Sequence, residues 1–416
     1  MKKTAIIMLV LCLAFLAACG SIAEGPEESD AAVSTETSEA DVAVEKNEGK
    51  EGRGVINYGY VKAIWVSQFD MAAVLKLDED GYRKAVAKMI SNIRSMGLNT
   101  VILQIRPYGD SFYESDVYPM SRFFGGGYDA VGIFVGICHR NGLSVHAWIN
   151  PYRLETEENM KLISKDCVVK SWFYGGELCE WEGRYYLDPS KAEVRELICA
   201  GAREALTKYD FDGLHMDDYF YPTTDEAFDR VSFEKSGSDD LREFRESSVN
   251  ELVRMLYMTV KSVDSRLLYG ISPAGNIKTV RRVYFADVTK WCSGSGYIDY
   301  IMPQVYFGFL HASCPFDSTV DAWGQAVTGS DVRLIIGMTL SKACSGQPDG
   351  YAGTDEGKNE WLTHDDIIAR SLEYVYGSKY CDGVSLFCYQ YLFDPVDGTP
   401  NGAIQREKSN FAAVLK

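Results

Sequence analysis

The stretch Asp212-Gly213-Leu214-His215-Met216-Asp217-Asp218-Tyr219-Phe220-Tyr221-Pro222 decides how this chain is read. Side chains alternate along a strand, so Gly213, His215 and Asp217 share one face, with Asp217 at its end. Upstream, Ala192–Tyr209 carries the i, i+3, i+4 apolar spacing of an amphipathic helix, and Leu241–Val263 repeats it downstream. Asp210 stands between helix and strand, where turn chemistry is expected. Helix, strand and helix in this order make the repeating unit of a parallel sheet with right-handed crossovers.

The same unit recurs in both directions. Runs rich in β-branched and aromatic residues predict strands at Val61–Ser67, Thr100–Arg106, Ser144–Ile149, Gly213–Asp217, Leu268–Ser272, Tyr300–Tyr306, Arg333–Gly337 and Gly383–Tyr389. Tyr82–Met96, with Val86, Ile90 and Ile93 on one face, is a further helix, and one near Ala403–Leu415 would close the ring. Gly97 and Gly142 fall where helices end. Eight strands with intervening helices predict an α/β protein built as a single (β/α)8 TIM barrel over residues 55–416, with no second domain after the last strand.

The N-terminus reads differently. Lys2 and Lys3 precede an apolar run from Ala5 to Ala18, too short to span a bilayer, for which roughly 20 residues are needed. Residues 1–18 therefore read as a signal peptide. The run ends Leu16-Ala17-Ala18-Cys19-Gly20, which resembles the lipobox of bacterial lipoproteins and implies acylation (palmitate or a similar chain) of Cys19. An ordinary signal peptide with an incidental Cys is the alternative. Residues 19–54 have no aromatic side chain, and from Gly20 to Gly54 there are ten acidic and three basic residues, net −7. Such a segment cannot bury enough apolar surface to offset its ordering entropy, and reads as a disordered tether. The expected location is outside the cytoplasmic membrane, held there by the lipid.

A formal charge of −17 and the absence of a basic stripe exclude a nucleic-acid partner. Of eleven Cys, nine lie beyond Cys12 and Cys19, with no C-x-x-C pair to suggest zinc or a redox motif. Cys138 and Cys199 read as core residues, while Cys167 and Cys179 share one loop and are candidates to pair. No cofactor is expected.

Active sites of such barrels gather at the C-terminal ends of the strands. The polar and aromatic residues there are Gln68 and Asp70 after strand one; Gln104, Arg106, Tyr108 and Asp110 on strand two; His146, Trp148, Asn150, Tyr152 and Arg153 on strand three; and His215, Asp217, Asp218 and Tyr219 on strand four. Ser272, Pro273 and Asn276 follow on strand five, Gln304 and Tyr306 on strand six, and Tyr389 and Tyr391 on strand eight. Planar hydrogen-bonding groups among aromatic faces suit a sugar. From these, the expected substrate-binding set is Gln104, Arg106, Tyr108, His146, Trp148, Asn150, Tyr152, Arg153, His215, Tyr219, Asn276, Gln304, Tyr306 and Tyr389. Some have a second reading: Gln104 and Arg106 as a buried pair, Trp148 and Tyr389 as core, His146 and His215 as hydrogen-bonded structural residues.

Asp217 and Asp218 are the expected catalytic residues. Two adjacent carboxylates each raise the other's pKa, and one that stays protonated near neutrality can act as a general acid. The alternative has Asp218 capping the following loop. Asp110 and Asp394 are the reserve carboxylates. The segment Leu154–Tyr186, with Trp172, Trp181 and Tyr185, is long enough to be a substrate-covering loop.

Six runs in order, Ile64-Trp65-Val66-Ser67, Gln104-Ile105-Arg106-Pro107, Ala147-Trp148-Ile149-Asn150-Pro151-Tyr152-Arg153, Leu187-Asp188-Pro189, His215–Pro222 and Met302-Pro303-Gln304-Val305-Tyr306, resemble the glycosyl-hydrolase-like family 10 domain, over about residues 59–393. The resemblance implies glycosidase chemistry on a cell-envelope polysaccharide, with peptidoglycan glycan strands lacking stem peptides as the expected partner. Adjacent acids after strand four also occur in N-acetylhexosaminidases that use the substrate's 2-acetamido group as nucleophile, which would make Asp217 the orienting residue and Asp218 the acid/base. Two other classes stay open. One is a metal-dependent hydrolase or deacetylase using His146, His215 and Asp217, although no His-x-His pair occurs on any strand. The other is a non-catalytic sugar-binding lipoprotein.

Overall fold

In the computed structural model, which describes residues 54–163 and 165–415, eight parallel strands close into a ring. They are β1 (Val61–Val66), β2 (Thr100–Arg106), β3 (Ser144–Ile149), β4 (Gly213–Met216), β5 (Leu268–Ile271), β6 (Tyr300–Ile301), β7 (Arg333–Thr339) and β8 (Gly383–Phe387). Each pairs with its sequence neighbours, and β1 with β8 closes the ring. The expected (β/α)8 barrel is therefore the observed one. The signal peptide expected at 1–18, the acylated Cys19 and all but the last residue of the acidic linker lie outside the described residues.

Strand boundaries moved where the backbone could not continue the ladder. β6 stops at Ile301 because Pro303 has no N–H to donate; Gln304 resumes only as isolated bridges to Ala274 and Gly337. β8 ends at Phe387, and Tyr389–Tyr391 turns into a short 3₁₀ helix. Leu241–Val263 is helical as read, and the first long helix runs Glu79–Ser95. The last helix, Gln405–Leu415, packs on Ile367–Gly377, and buried Glu407 accepts N–H bonds from Ile367 and Ile368 at 2.9 and 3.3 Å.

The barrel interior is filled by rings, and glycine on neighbouring strands makes that possible. His146 stands beside Gly213, and His215 beside Gly270. A Cβ on Gly270 would lie 2.0 Å from the Tyr300 ring, and one on Gly337 would lie 2.8 Å from Trp65. Outside the ring, buried Val, Ile, Leu and aromatic side chains fill the space between strands and helices.

Leu154–Tyr186 has structure of its own. Arg153–Thr156, Arg184–Tyr186 and Cys179–Trp181 form a small antiparallel sheet, flanked by helices Glu157–Lys161 and Val168–Gly175. Cys167 and Cys179 are unpaired, as are the other seven cysteines among the described residues. The Leu187-Asp188-Pro189 run ties loops together, with Asp188 accepting bonds from Ser190 and from Ser232 Oγ at 2.5 Å.

Candidate active site

Asp217 follows β4 directly, so its carboxylate tops the barrel. Trp148 Nε1, from the end of β3, donates to its Oδ2 at 3.1 Å, and the Tyr219 backbone N–H donates to Oδ1 at 3.3 Å. Burial pushes Asp217 well above the ordinary carboxylate range. The neighbouring Asp218 adds to the rise, while Arg153 and the two hydrogen bonds oppose it. Asp218 is half-buried at the turn; it too is raised by burial, against a hydrogen bond from Gln304 and the charge of Arg153. Gln304 Nε2 also donates to the Ser272 carbonyl at 3.0 Å, which fixes the amide between β5 and the acid. Tyr284, from the helix after β5, is pushed up to about 12 by burial and by Asp218.

Aromatic and amide groups surround the pair. Phe387 touches Trp65, Trp148 and Tyr306, with ring centres 5.8, 6.5 and 5.8 Å away. On the other side Arg153 lies 3.6 Å over the Tyr219 ring and 4.8 Å from that of Tyr108. Beneath Tyr108 runs a relay of amides: Gln68 Nε2 donates to Tyr108 Oη at 2.8 Å, Gln68 N to Gln104 Oε1 at 2.6 Å, and Gln104 Nε2 to Asn150 Oδ1 at 3.0 Å.

The structure thus brings together Asp217, Asp218, Tyr108, Trp148, Arg153, Tyr219, Gln304 and Tyr306, with Gln104 and Asn150 as support. Six residues of the expected set lie elsewhere. His146 and His215 sit two residues deeper and share Tyr300 Oη, at 2.9 and 3.0 Å, while Trp65 and Ser272 bond His215 Nε2. Burial lowers His146 to about 4 and His215 well below its usual value, so both are neutral interior groups. None of these bonds is to Asp217, and no group of three His, Cys, Asp or Glu side chains suited to a metal occurs among the described residues.

Arg106 follows an irregularity in β2 after Gln104 and leaves the cleft, held by Tyr118 and by the Asn150 carbonyl at 2.9 Å. Tyr152 is buried in the shell between sheet and helices. Asn276 caps the helix Ile277–Tyr284. Tyr389, rotated by the 3₁₀ turn, bonds Asn92 and stacks on Phe393.

The reserve carboxylates are occupied as well. Asp110 accepts the Tyr108 N–H, and exposed Asp394 accepts those of Val396 and Asp397. Sequence reasoning left Gln68 out of the binding set and passed over Tyr284, Phe387 and Arg184. Gln68 was visible just past β1; nothing in the spacing announces Arg184, which a distant hairpin delivers to Tyr108.

A parallel eight-stranded barrel whose rim carries two adjacent acids among aromatic rings and amides has the architecture of barrel enzymes. The chain belongs to the glycosyl hydrolase-like 10 family, whose model matches residues 60–349. It is 29% identical over 356 residues to glycosyl hydrolase YngK of Bacillus subtilis, covering 77% of this chain and 67% of that one. To glycosyl hydrolase DigH of Escherichia coli K12 it is 26% identical, covering 75% and 77%. The fold is also similar to the PgaB (BpsB) glycoside hydrolase domain from Bordetella bronchiseptica, with a TM-score of 0.52 at 11% identity, over 78% of this chain and 93% of that domain.

Proposed function

We propose that this protein is a glycosidase of the cell envelope that cleaves peptidoglycan glycan strands lacking stem peptides, using the substrate's own acetamido group. The observation that carries the reading is the pair Asp217–Asp218 at the top of β4, while Asp110 and Asp394 accept backbone N–H bonds within their own loops. Membership of the glycosyl hydrolase-like family and relatives named glycosyl hydrolases support it.

Asp217 already accepts an N–H at each oxygen, and a third bond from the acetamido N–H would favour its ionised form. The pair's proton then rests on half-exposed Asp218, which meets the glycosidic oxygen. The acetamido carbonyl oxygen attacks the anomeric carbon as the C–O bond breaks. The leaving oxygen takes the proton of Asp218, and a cyclic oxazolinium remains, its N–H held by Asp217. Asp218 next removes a proton from water, which opens the ring at the anomeric carbon and restores the acetamide. Substrate assistance of this kind is a recognised exception to the two-carboxylate scheme.

The test is product analysis of the full chain with stripped glycan strands. New N-acetyl-amino-sugar reducing ends that survive prolonged chelation and vanish in Asp218→Asn are expected. Wild-type turnover by that variant would remove the assignment, and loss of activity on chelation would favour the metal-dependent alternative. The location proposed with this reading, outside the membrane on an acylated Cys19, predicts palmitate incorporation in cells that Cys19→Ala abolishes.

A further inference from the structure

Three guanidinium groups gather around one edge of the cleft, and they are not equivalent. Arg153 and Arg184 lie 4.8 and 5.1 Å from the centre of the Tyr108 ring; Arg122 stacks on Phe123, whose ring is 6.4 Å from Tyr108. Glu155 neutralises two of them. Arg122 Nε donates to its Oε1 at 2.8 Å, and Arg184 lies 3.9 Å from Oε2 while donating to the Leu154 carbonyl at 2.7 Å. Arg153 has neither kind of contact. Among the described residues no carboxylate lies within ion-pair distance of it, and its buried Nε has no acceptor.

What holds Arg153 is aromatic, with the Tyr219 ring centre 3.6 Å from Cζ. Stacking satisfies the faces of a guanidinium and leaves its in-plane N–H edge unused. That edge is the part that matches a planar, two-oxygen acceptor. Asp217 is close enough to contribute charge and does not fill it.

We propose that Arg153 is the receptor for a carboxylate borne by the sugar bound beside the acid pair, so that the substrate is an acidic glycan. The proposal rests on the reading of Asp217–Asp218 as a glycosidase pair, because an anion held there must hang on the pyranose being processed. Two chemistries supply such a group: the C6 carboxylate of a uronic acid, and the lactyl ether carboxylate of a peptidoglycan amino sugar. The second exists as an anion only when no peptide is attached, since the amide bond to a stem peptide neutralises it. Preference for stripped strands would then follow from charge as well as from bulk.

The experiment is calorimetric binding to the full chain carrying Asp218→Asn, so that no turnover intervenes. The ligands are stripped strands, the same strands with their lactyl carboxylates converted to methylamides, and oligogalacturonate. Stripped strands are expected to bind at least about tenfold more tightly than methylamidated ones, the range of one charge-assisted hydrogen bond. Adding Arg153→Gln should erase that ratio, bringing stripped and methylamidated strands to equal affinity. Arg153→Lys, which keeps the charge and loses the fork, should retain only part of it.

Tight binding of oligogalacturonate with none of stripped strands would leave the carboxylate receptor standing and remove peptidoglycan as the substrate. Equal affinity for native and methylamidated strands without uronate binding, an unchanged ratio in Arg153→Gln, or no binding of any ligand would overturn the receptor itself. Failure of the glycosidase reading would show separately, as bound strands that the wild-type chain does not cleave.

Discussion

Two arginines near the rim occupy similar aromatic surroundings, and only one of them is paired with a carboxylate. Arg245 lies 5.0 Å from the rings of Tyr221 and Phe285, as Arg153 lies over Tyr219 and Tyr108. Arg245 is wholly buried, and its edge is full: Nε and Nη2 donate to the buried Asp229 at 2.5–3.1 Å, and Nη2 also donates to the Asp225 carbonyl at 2.7 Å. The edge of Arg153 is open, and the carboxylate near it is paired with another carboxylate. The first arrangement closes the loop after β4 onto helix Leu241–Val263. The second keeps charge unspent at the place where the loop's first residues face the cleft. A buried charge whose partners are complete serves the fold, and one whose partners are missing awaits a ligand.

Asp218→Asn should have the largest effect: loss of about 10²- to 10⁴-fold in turnover, the usual share of a general acid/base, with an unchanged unfolding midpoint. Unaltered kinetics would break the comparison at its catalytic end. Asp229→Ala should act in the opposite sense, costing about 3–5 kcal/mol in urea unfolding by leaving Arg245 buried and unpaired. Asp217→Asn, which removes a carboxyl whose ionised form burial disfavours, should leave stability equal or higher; if it cost as much as Asp229→Ala, the two regions would not differ as described.

Beneath both regions the His146–Tyr300–His215 relay carries no charge, and its pH behaviour sharpens the contrast. His146 has a folded pKa of about 4 against an ordinary 6.5, so the unfolded chain binds the extra proton between these values. Its contribution is complete above pH 6.5 and is lost as the pH falls toward 4, by up to about 3 kcal/mol. Asp70 and Asp110, both raised by burial to about 6, run the other way, stabilising when protonated and losing that contribution as the pH rises through 6. The measurement is therefore the difference between wild type and His146→Gln, whose unfolding midpoint should fall less between pH 6.5 and 4. An identical decline would mean that His146 does not stay neutral. The smallest effect belongs to Gly270→Ala: about 1–3 kcal/mol of overpacking against Tyr300, with the acid pair untouched.

The barrel was legible because its signal is local and repeated. Apolar periodicity alternating between strand and helix along the chain admits few other arrangements, and alternation along β4 puts Asp217 at a strand top. Adjacency did the same for Asp218. Depth and direction were not legible. His146 and His215 face inward as alternation requires, yet two residues of depth separate a ring in the interior from one in the cleft. An irregularity after Gln104 sends Arg106 out through the sheet, and a 3₁₀ turn rotates Tyr389 off the rim.

By itself the sequence determined the barrel, the strand that carries the acids and the family. Only the tertiary structure decided which polar groups share the cleft, that Glu155 silences Arg122 and Arg184, and that Arg153 is left with an open edge. The physical reason is range. Strand and helix periodicity are set by neighbours along the chain, whereas the pairing and desolvation of a charge depend on groups that distant segments bring within a few ångströms.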